Sequence, residues 1–211
     1  ADTQSGLALA IWSRGQRQTG TTEMEKAAAI LRAAIALPGL TDNAEKRAQL
    51  QGDLALVLMT LGQREAGSAT LQESAAAARA AMSVRSRNAA PMDWARLQNH
   101  LGSTLLLHGM REQSRDRLEE AVTAFRAALE VWTWQNAPID WAVLRGAKAV
   151  SKLRLVNVVG AGQSASTIGV PLAEVFHCNR LTAPWTSANK MYIARRTNKY
   201  VIAPYTSATS V

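Results

Sequence analysis

Apolar residues recur at intervals of three and four along most of the chain. In one segment they are Trp94, Leu97, Leu101, Leu105 and Leu106. In the segment that follows they are Leu118, Ala121, Val122, Phe125, Ala128, Leu129 and Trp132. This spacing puts each set on one side of an α-helix. The pattern therefore predicts two successive amphipathic helices, and neither can bury its apolar side without a neighbour.

Residues at the ends of the first segment are typical of helix boundaries. Pro91 has the fixed φ that suits a first helical residue, and Asp93 offers a side chain for capping. Gly109 is expected to end the helix, because glycine accepts the left-handed conformation found there. Gly15 and Gly62 are expected to end two earlier helices in the same way.

The whole pattern repeats at an offset of 47 residues without a gap. Residues 91–95 (Pro-Met-Asp-Trp-Ala) align with 138–142 (Pro-Ile-Asp-Trp-Ala), and the glycine, arginine and alanine positions align upstream. The units are a partial one at 1–43, two full ones at 44–90 and 91–137, and the start of a fourth at 138. A fixed period of this length predicts an all-α array of stacked antiparallel helical hairpins with one continuous core.

The pattern changes inside the fourth unit, after residue 144. Residues 1–144 contain 15 Lys/Arg and 15 Asp/Glu, whereas 145–211 contain 9 Lys/Arg and a single acid, so the net charge of +8 belongs to the second segment. Gly, Pro, Ser and Thr become frequent there, which predicts an irregular C-terminal tail over 145–211. Two explanations stay open: a native, partly disordered tail, or an out-of-frame or chimeric end.

Composition bounds the class of protein. The chain is 47% hydrophobic and 19% charged, which is compatible with a folded, soluble protein. No apolar run of about 18 residues and no clear signal peptide are present. The chain begins with Ala1 rather than Met, which is compatible with a fragment. Its single cysteine, Cys178, excludes an intramolecular disulfide framework and favours a cytoplasmic location.

Few residues suggest chemistry. Residues 160–165 (Gly-Ala-Gly-Gln-Ser-Ala) resemble a dinucleotide-binding turn, but the further βα units that such a fold needs are missing. His100 and His108 lie about 12 Å apart along one helix, too far for one metal ion, and are expected to be polar surface or groove residues. His177 and Cys178 have no acidic neighbour. The sequence therefore predicts no catalytic residue, no metal ligand and no cofactor site.

Other polar and aromatic groups have structural interpretations. Glu119 and Glu120 follow Arg115 and Arg117 on one helix, which predicts a solvated, salt-bridged surface. Of Trp132 and Trp134, one is expected to be buried and the other exposed. In the tail, basic residues alternate with aromatic ones, which leaves nucleic-acid binding as a weaker alternative. These residues are Lys190, Tyr192, Arg195, Arg196, Lys199 and Tyr200.

The repeat resembles the tetratricopeptide family, in particular long bacterial repeats that start with Pro-x-Asp-Trp-Ala. Leu101, Gly102 and Leu105 match the first-helix signature, and Ala121, Phe125 and Ala128 match the second. The middle unit departs from this pattern, with Ala55 in place of the glycine and Ala78 in place of the aromatic residue. The resemblance implies a short right-handed solenoid that binds proteins and has no catalytic activity.

The resemblance also implies where a partner binds, because first helices line the concave surface in this family. By position, the groove residues are Gln49, Gly52, Leu56, Met59, Arg96, Asn99, Ser103 and Leu106. Met and Leu favour the apolar side of a peptide or helix. Two alternatives remain: nucleic-acid binding through the tail, and a non-catalytic segment of a larger signalling protein.

Overall fold

The computed structural model describes the backbone of residues 2–38, 43–159, 191–196 and 199–204. Seven helices form an array within this part of the chain. They are α1 (Asp2–Gln16), α2 (Thr22–Ile35), α3 (Ala44–Arg64), α4 (Ala69–Met82), α5 (Pro91–Glu112), α6 (Arg115–Leu129) and α7 (Pro138–Val159). Two strands follow, β1 (Met191–Arg196) and β2 (Lys199–Pro204), which pair antiparallel with Ile193 opposite Ile202.

Each helix packs against the next one in the chain, and the first helices of successive units also pack against each other. The helical pairs are α1–α2, α3–α4 and α5–α6, as the 47-residue period predicts. The core runs through all units without a break, from Ala8 and Met24 to Trp132 and Leu144. The prediction of an all-α array of helical hairpins is confirmed.

Helix α7 continues fifteen residues past the predicted start of the tail, to Val159. Leu144, Ala149 and Leu155 are buried, so part of an apolar side persists beyond residue 144. The predicted boundary therefore falls inside a helix and not at its end. A change in net charge does not break a helix, and this is why the shift in composition was misleading there.

The repeated glycines do not end their helices. Gly62 and Gly109 lie before the last residues of α3 and α5. A Cβ at residue 109 would come within 2.9 Å of Leu118, and one at residue 62 within 2.5 Å of Leu71. The glycines are therefore needed for close approach of two helices. The left-handed residue after α5 is Gln113, with φ of 51°.

Capping also differs from the prediction. Pro91 is the first residue of α5, as expected, but Asp93 makes no capping hydrogen bond and forms ion pairs with Arg85 and Arg96. Side-chain capping occurs at other helices. The side-chain amide oxygen of Asn43 accepts a hydrogen bond from the Lys46 backbone amide at 2.9 Å, and Ser114 caps α6.

The difference between the middle unit and the following unit at residues 55 and 78 has a packing reason. A Cβ at residue 102 would come within 2.6 Å of the Phe125 ring, so a buried aromatic side chain in α6 requires glycine in α5. In the middle unit Ala55 and Ala78 are both fully buried. The small residue at 78 leaves room for the methyl group at 55, so the two positions change together.

Two kinds of arginine contact join successive units at the repeat interval. On the second helices, Arg32 pairs with Glu73 at 2.6 Å and Arg79 with Glu120 at 3.0 Å. At the ends of the first helices, the Arg64 guanidinium donates to backbone carbonyl oxygens of the preceding unit, including Gly20 at 2.7 Å. Backbone acceptors at a helix end are otherwise unsatisfied, so this contact caps one unit with the next.

The same contact recurs one unit later. Arg111 donates to the carbonyl oxygens of Gly62 and, at 2.7 Å, of Gly67. Arg111 lies 47 residues after Arg64. The repeat in sequence is thus also a repeat of inter-unit hydrogen bonds.

Candidate protein-binding groove

The helices form two layers with unequal spacing. The first helices α1, α3, α5 and α7 pack directly against one another in sequence order. The second helices α2, α4 and α6 are connected by the long side chains of the pairs Arg32–Glu73 and Arg79–Glu120. Closer spacing in the first layer is the arrangement expected when that layer forms the inner, concave side of the array.

Helix α3 is buried on most of its circumference. The positions that keep exposure on one side are separated by three, four or seven residues: Glu45, Gln49, Leu56, Met59 and Gln63. Three of the predicted groove residues, Gln49, Leu56 and Met59, belong to this exposed stripe. Gly52 lies between them and is buried. A Cβ at this position would come within 3.2 Å of the Leu97 side chain.

Helix α5 repeats the stripe 47 residues later. Its members are Met92, Arg96, Asn99, Ser103, Leu106 and Met110. The four predicted residues are all half-buried. Met92 and Met110, which sequence reasoning missed, are 48% and 36% exposed and extend the stripe at both ends. Their equivalence to Glu45 and Gln63 at the repeat offset could have identified them.

Charged groups at one end of the two stripes neutralise each other. Arg96 pairs with Asp93 at 2.6 Å, and Arg85 pairs with Asp93 at 3.2 Å and with Glu45 at 2.7 Å. Two cations and two anions thus form one network. The guanidinium of Arg96 is already paired, so this end of the groove is not a ready site for a carboxylate.

Two buried polar residues lie beside the stripes at equivalent positions. Asp53 of α3 accepts a hydrogen bond of 2.6 Å from the Ser5 hydroxyl of α1, and burial raises the pKa of its carboxyl group. His100 of α5 is 8% exposed, and burial together with the nearby Arg96 lowers its pKa to about 4. The imidazole is therefore neutral at neutral pH.

These residues correct one expectation and add one finding. His100 and His108 were expected at the surface or in the groove, but both are buried, because α5 packs against α3, α4, α6 and α7 and keeps little free surface. Asp53 was missed. The sequence contained a signal for it: Asp53 lies 47 residues before His100, so both units have a polar residue at the same position of an otherwise apolar helix face.

The stripe continues on α7, beyond the predicted boundary. Its members there are Ile139, Val143, Val150 and Leu153, and the buried Gly146 lies at the position equivalent to Gly52. Ile139 is 78% and Val143 61% exposed. The exposed stripe of α3 and α5 thus has an equivalent on α7, which is the most apolar of the three.

An open cavity of about 590 Å³ lies between α4, α5 and α6, and Leu101 and Leu105 of α5 are among its lining residues. Glu119 pairs with Arg115 at 2.7 Å, and Glu120 pairs with Arg79 at 3.0 Å. The prediction of a salt-bridged surface for these two acids is confirmed.

The tryptophans follow their predicted division. Trp132 is 6% exposed and Trp134 60%. Trp134 makes an edge-on contact with Trp141 at 5.7 Å between ring centroids, and Arg145 lies over the Trp141 ring at 4.8 Å. A contact between an exposed and a half-buried tryptophan therefore marks the start of α7.

Several sequence candidates lie outside the described residues. They are the turn at 160–165, His177, Cys178 and Lys190. Arg195, Arg196 and Lys199 lie on the strand pair. In the described part of the chain, no group of three or more His, Cys, Asp or Glu is placed to hold a metal ion. None of the described helices combines the length and apolar character needed to cross a bilayer.

Comparison with known proteins gives no match: no protein-family model, no curated protein and no solved structure is similar to this chain.

Proposed function

We propose that this chain is a cytoplasmic protein-interaction module of tetratricopeptide type, which binds a peptide or helix of a partner protein along its inner groove. The observation that carries the proposal is the recurrence of half-exposed side chains at equivalent positions of α3 and α5. Leu56 and Met59 in one stripe correspond to Ser103 and Leu106 in the next. Evenly spaced positions of this kind suit a ligand with a regular backbone, such as a helix.

The chemistry of the stripes favours a mainly apolar ligand surface. Met92 and Met110 flank Leu106 on α5, and methionine adapts its shape to different partners. The charged network around Arg85 and Arg96 is internally neutral. An amphipathic helix that places leucine or methionine at every third or fourth residue fits this surface.

A panel of labelled amphipathic helical peptides, measured by fluorescence anisotropy, tests the proposal. Met59→Glu and Ser103→Glu place a charge at the centre of the two stripes, and each is expected to weaken binding at least about tenfold. Gln72→Glu adds the same charge on the exposed surface of α4 and serves as the matched control. Arg96→Ala and Asn99→Ala test the polar end of the groove.

Two results would contradict the proposal. One is that no peptide of the panel binds at all. The other is that peptides bind equally well to Met59→Glu, Ser103→Glu and the control, which would move the binding surface away from the groove.

A further inference from the structure

An apolar band crosses the first helices of the array. It consists of two rows of residues that are equivalent at the repeat offset of 47. The rows are Leu9, Leu56, Ser103 and Val150, and Trp12, Met59, Leu106 and Leu153. Seven of the eight residues are apolar, and all eight are half-buried. Their similar exposure shows that each first helix presents the same part of its surface.

Contacts between units show that the rows are continuous. Helices α1, α3, α5 and α7 pack directly against one another in sequence order. The Ser5 hydroxyl of α1 donates to the Asp53 carboxylate of α3 at 2.6 Å, although the two residues are only one position off the repeat offset. A Cβ at Gly52 of α3 would come within 3.2 Å of Leu97 of α5, two positions off that offset. Equivalent residues of neighbouring first helices therefore lie side by side.

Polar residues flank the band on both sides. Gln49 and Arg96 precede it on their helices, and Gln16 and Gln63 follow it. The apolar exceptions among these flanking positions are Val143 and Met110. Apolar character is thus continuous across the helices, whereas along the exposed stripe of α3 it is confined to Leu56 and Met59. A ligand that lies across the helices therefore buries more apolar surface than one that follows α3.

The dimensions of the band fit a helix. Packed helices lie about 8–10 Å apart, so four of them extend the band over about 24–30 Å. A helix of that length has about 16–20 residues. The band is two rows wide, as is the apolar stripe of an amphipathic helix. An extended strand offers only a single row to one side, because its successive side chains point to opposite faces.

We propose that the ligand is an amphipathic helix of about 16–20 residues that lies across α1, α3, α5 and α7, with its apolar stripe on the band. This inference rests on the proposed function and adds the length, conformation and direction of the ligand. Residues of α1 and α7 thereby join the binding surface. They are Leu9, Trp12, Val150 and Leu153.

Fluorescence anisotropy with the 211-residue chain tests the direction. The probe is a labelled peptide of about 20 residues, with leucine at the first and fourth positions of each heptad. Leu9→Ser and Val150→Ser place at the two ends of the band the residue that the array already has at Ser103. Each is expected to weaken binding roughly five- to tenfold, because one apolar contact is lost.

Matched controls come from exposed apolar residues of the same two helices that lie outside the band. Leu7→Ser is the control for α1, and Val143→Ser, about 10 Å from Val150 along the helix, is the control for α7. Both are expected to bind the peptide like the wild type. Circular dichroism confirms that each variant is folded.

The outcomes separate this inference from the proposed function. If Met59→Glu weakens binding while Leu9→Ser and Val150→Ser bind like the wild type, the ligand stays on α3 and α5 and the crossing direction is wrong. If none of these three changes affects binding, the proposed groove itself is wrong. Losses for Leu7→Ser or Val143→Ser as large as those for the band variants also overturn the band.

A proline at the centre of the peptide tests the conformation of the ligand. Proline removes a hydrogen bond from a helix interior and clashes with the preceding turn, so binding is expected to weaken at least about tenfold. Equal binding of the peptides with and without proline would show that the ligand is extended, and would overturn the proposal of a helix.

Discussion

The units 44–90 and 91–137 share one backbone frame but join to the next unit by different chemistry. At the end of the first unit, Arg85 lies between two carboxylates, 2.7 Å from Glu45 and 3.2 Å from Asp93. Its side chain is only 12% exposed. A cation in such a position requires its anions, because an unpaired buried charge costs several kcal/mol.

At the end of the second unit, the position of Arg85 is occupied by Trp132, which is 6% exposed. The position of Glu45 is occupied by Met92. The cation and one of its anions have therefore been replaced together by two apolar residues. The comparison teaches that the frame accepts charged side chains at these two positions in one junction and apolar side chains in the next.

A second pair of positions changes in the same coordinated way. Arg87 lies over the Trp94 ring at 5.6 Å in the first junction. The equivalent residues of the next junction are Trp134 and Trp141, whose rings meet edge-on at 70°. In both cases the tryptophan on the first helix is partly covered by a residue of the preceding loop, through a cation–π contact or an aromatic one.

The largest effect is expected from the aromatic residue that only the third unit has. Phe125→Ala empties a fully buried site and is expected to lower the free energy of unfolding by about 3–5 kcal/mol. Urea unfolding followed by circular dichroism measures the change. The middle unit has Ala78 at this position, so Ala78→Gly, which removes one methyl group, is the control and should cost far less.

Adding Gly102→Ala to Phe125→Ala sharpens this comparison. Alone, Gly102→Ala is expected to destabilise by about 1–3 kcal/mol, since the new methyl group meets the ring. In the double variant it is expected to restore about 1 kcal/mol, because alanine favours the helix and the ring is gone. Additive effects of the two changes would mean that residues 102 and 125 are not coupled.

The next effect concerns the junctions themselves. Trp132→Arg places a cation at the second junction, where Met92 stands in place of Glu45 and offers no carboxylate. The variant is expected to lower the free energy of unfolding by about 3 kcal/mol. Adding Met92→Glu supplies the missing carboxylate and is expected to recover about 1–2 kcal/mol. Thermal unfolding of the two variants checks this. No recovery on adding Met92→Glu would show that the junctions are not interchangeable.

The fold was largely predictable because a 47-residue repeat encodes helix number, order and pairing at once. The functions of individual residues were less predictable. Gly62 and Gly109 indicated helix ends from sequence, but they are required for contact with Leu71 and Leu118. That distinction depends on the distance between helices that are separate in sequence, which periodicity does not contain.

The exposed stripe was predictable in position but not in extent. Gln49, Leu56 and Met59 lie in an exposed stripe because the same period that buries three sides of α3 leaves the fourth open. The continuation at Val150 and Leu153 was missed because the change in charge after residue 144 was taken as the end of the array. The identity of a partner also depends on the chemistry of the ligand, which a repeat pattern does not encode.

Lowering the pH is expected to affect the stability of the two units differently, because buried titratable residues occupy equivalent positions in them, Asp53 in one and His100 in the other. His100 has a folded pKa of about 4 against an ordinary value of 6.5, so the unfolded chain binds a proton first as the pH falls. Its contribution to stability is present above pH 6.5 and is lost toward pH 4, by about 2 kcal/mol between pH 7 and 5. His100→Gln is expected to remove this loss, as measured by urea unfolding over that range.

Asp53 acts in the opposite direction. Burial raises its folded pKa, so acidification relieves the cost of a buried carboxylate, and stability from this group falls as the pH rises through that pKa. Asp53→Asn is therefore expected to make the acid loss steeper, whereas His100→Gln makes it shallower. Equal pH slopes in the two variants would show that neither group titrates as its burial implies.

The smallest effect is expected at the charged junction. Arg85→Ala removes a cation from two anions that both retain access to water, since the side chains of Glu45 and Asp93 are 64% and 39% exposed. Water can solvate these carboxylates, so the expected loss is only about 1 kcal/mol. Urea unfolding at low and high salt measures it, and the loss should shrink at high salt as the wild-type attraction is screened.

Trp132→Ala is the matched change at the aromatic junction, and its larger loss of stability should be insensitive to screening. An Arg85→Ala loss that exceeds the Trp132→Ala loss, or that persists unchanged in high salt, would mean that Arg85 contributes mainly through the apolar part of its side chain. The two junctions would then differ in side-chain shape rather than in the kind of force that joins the units.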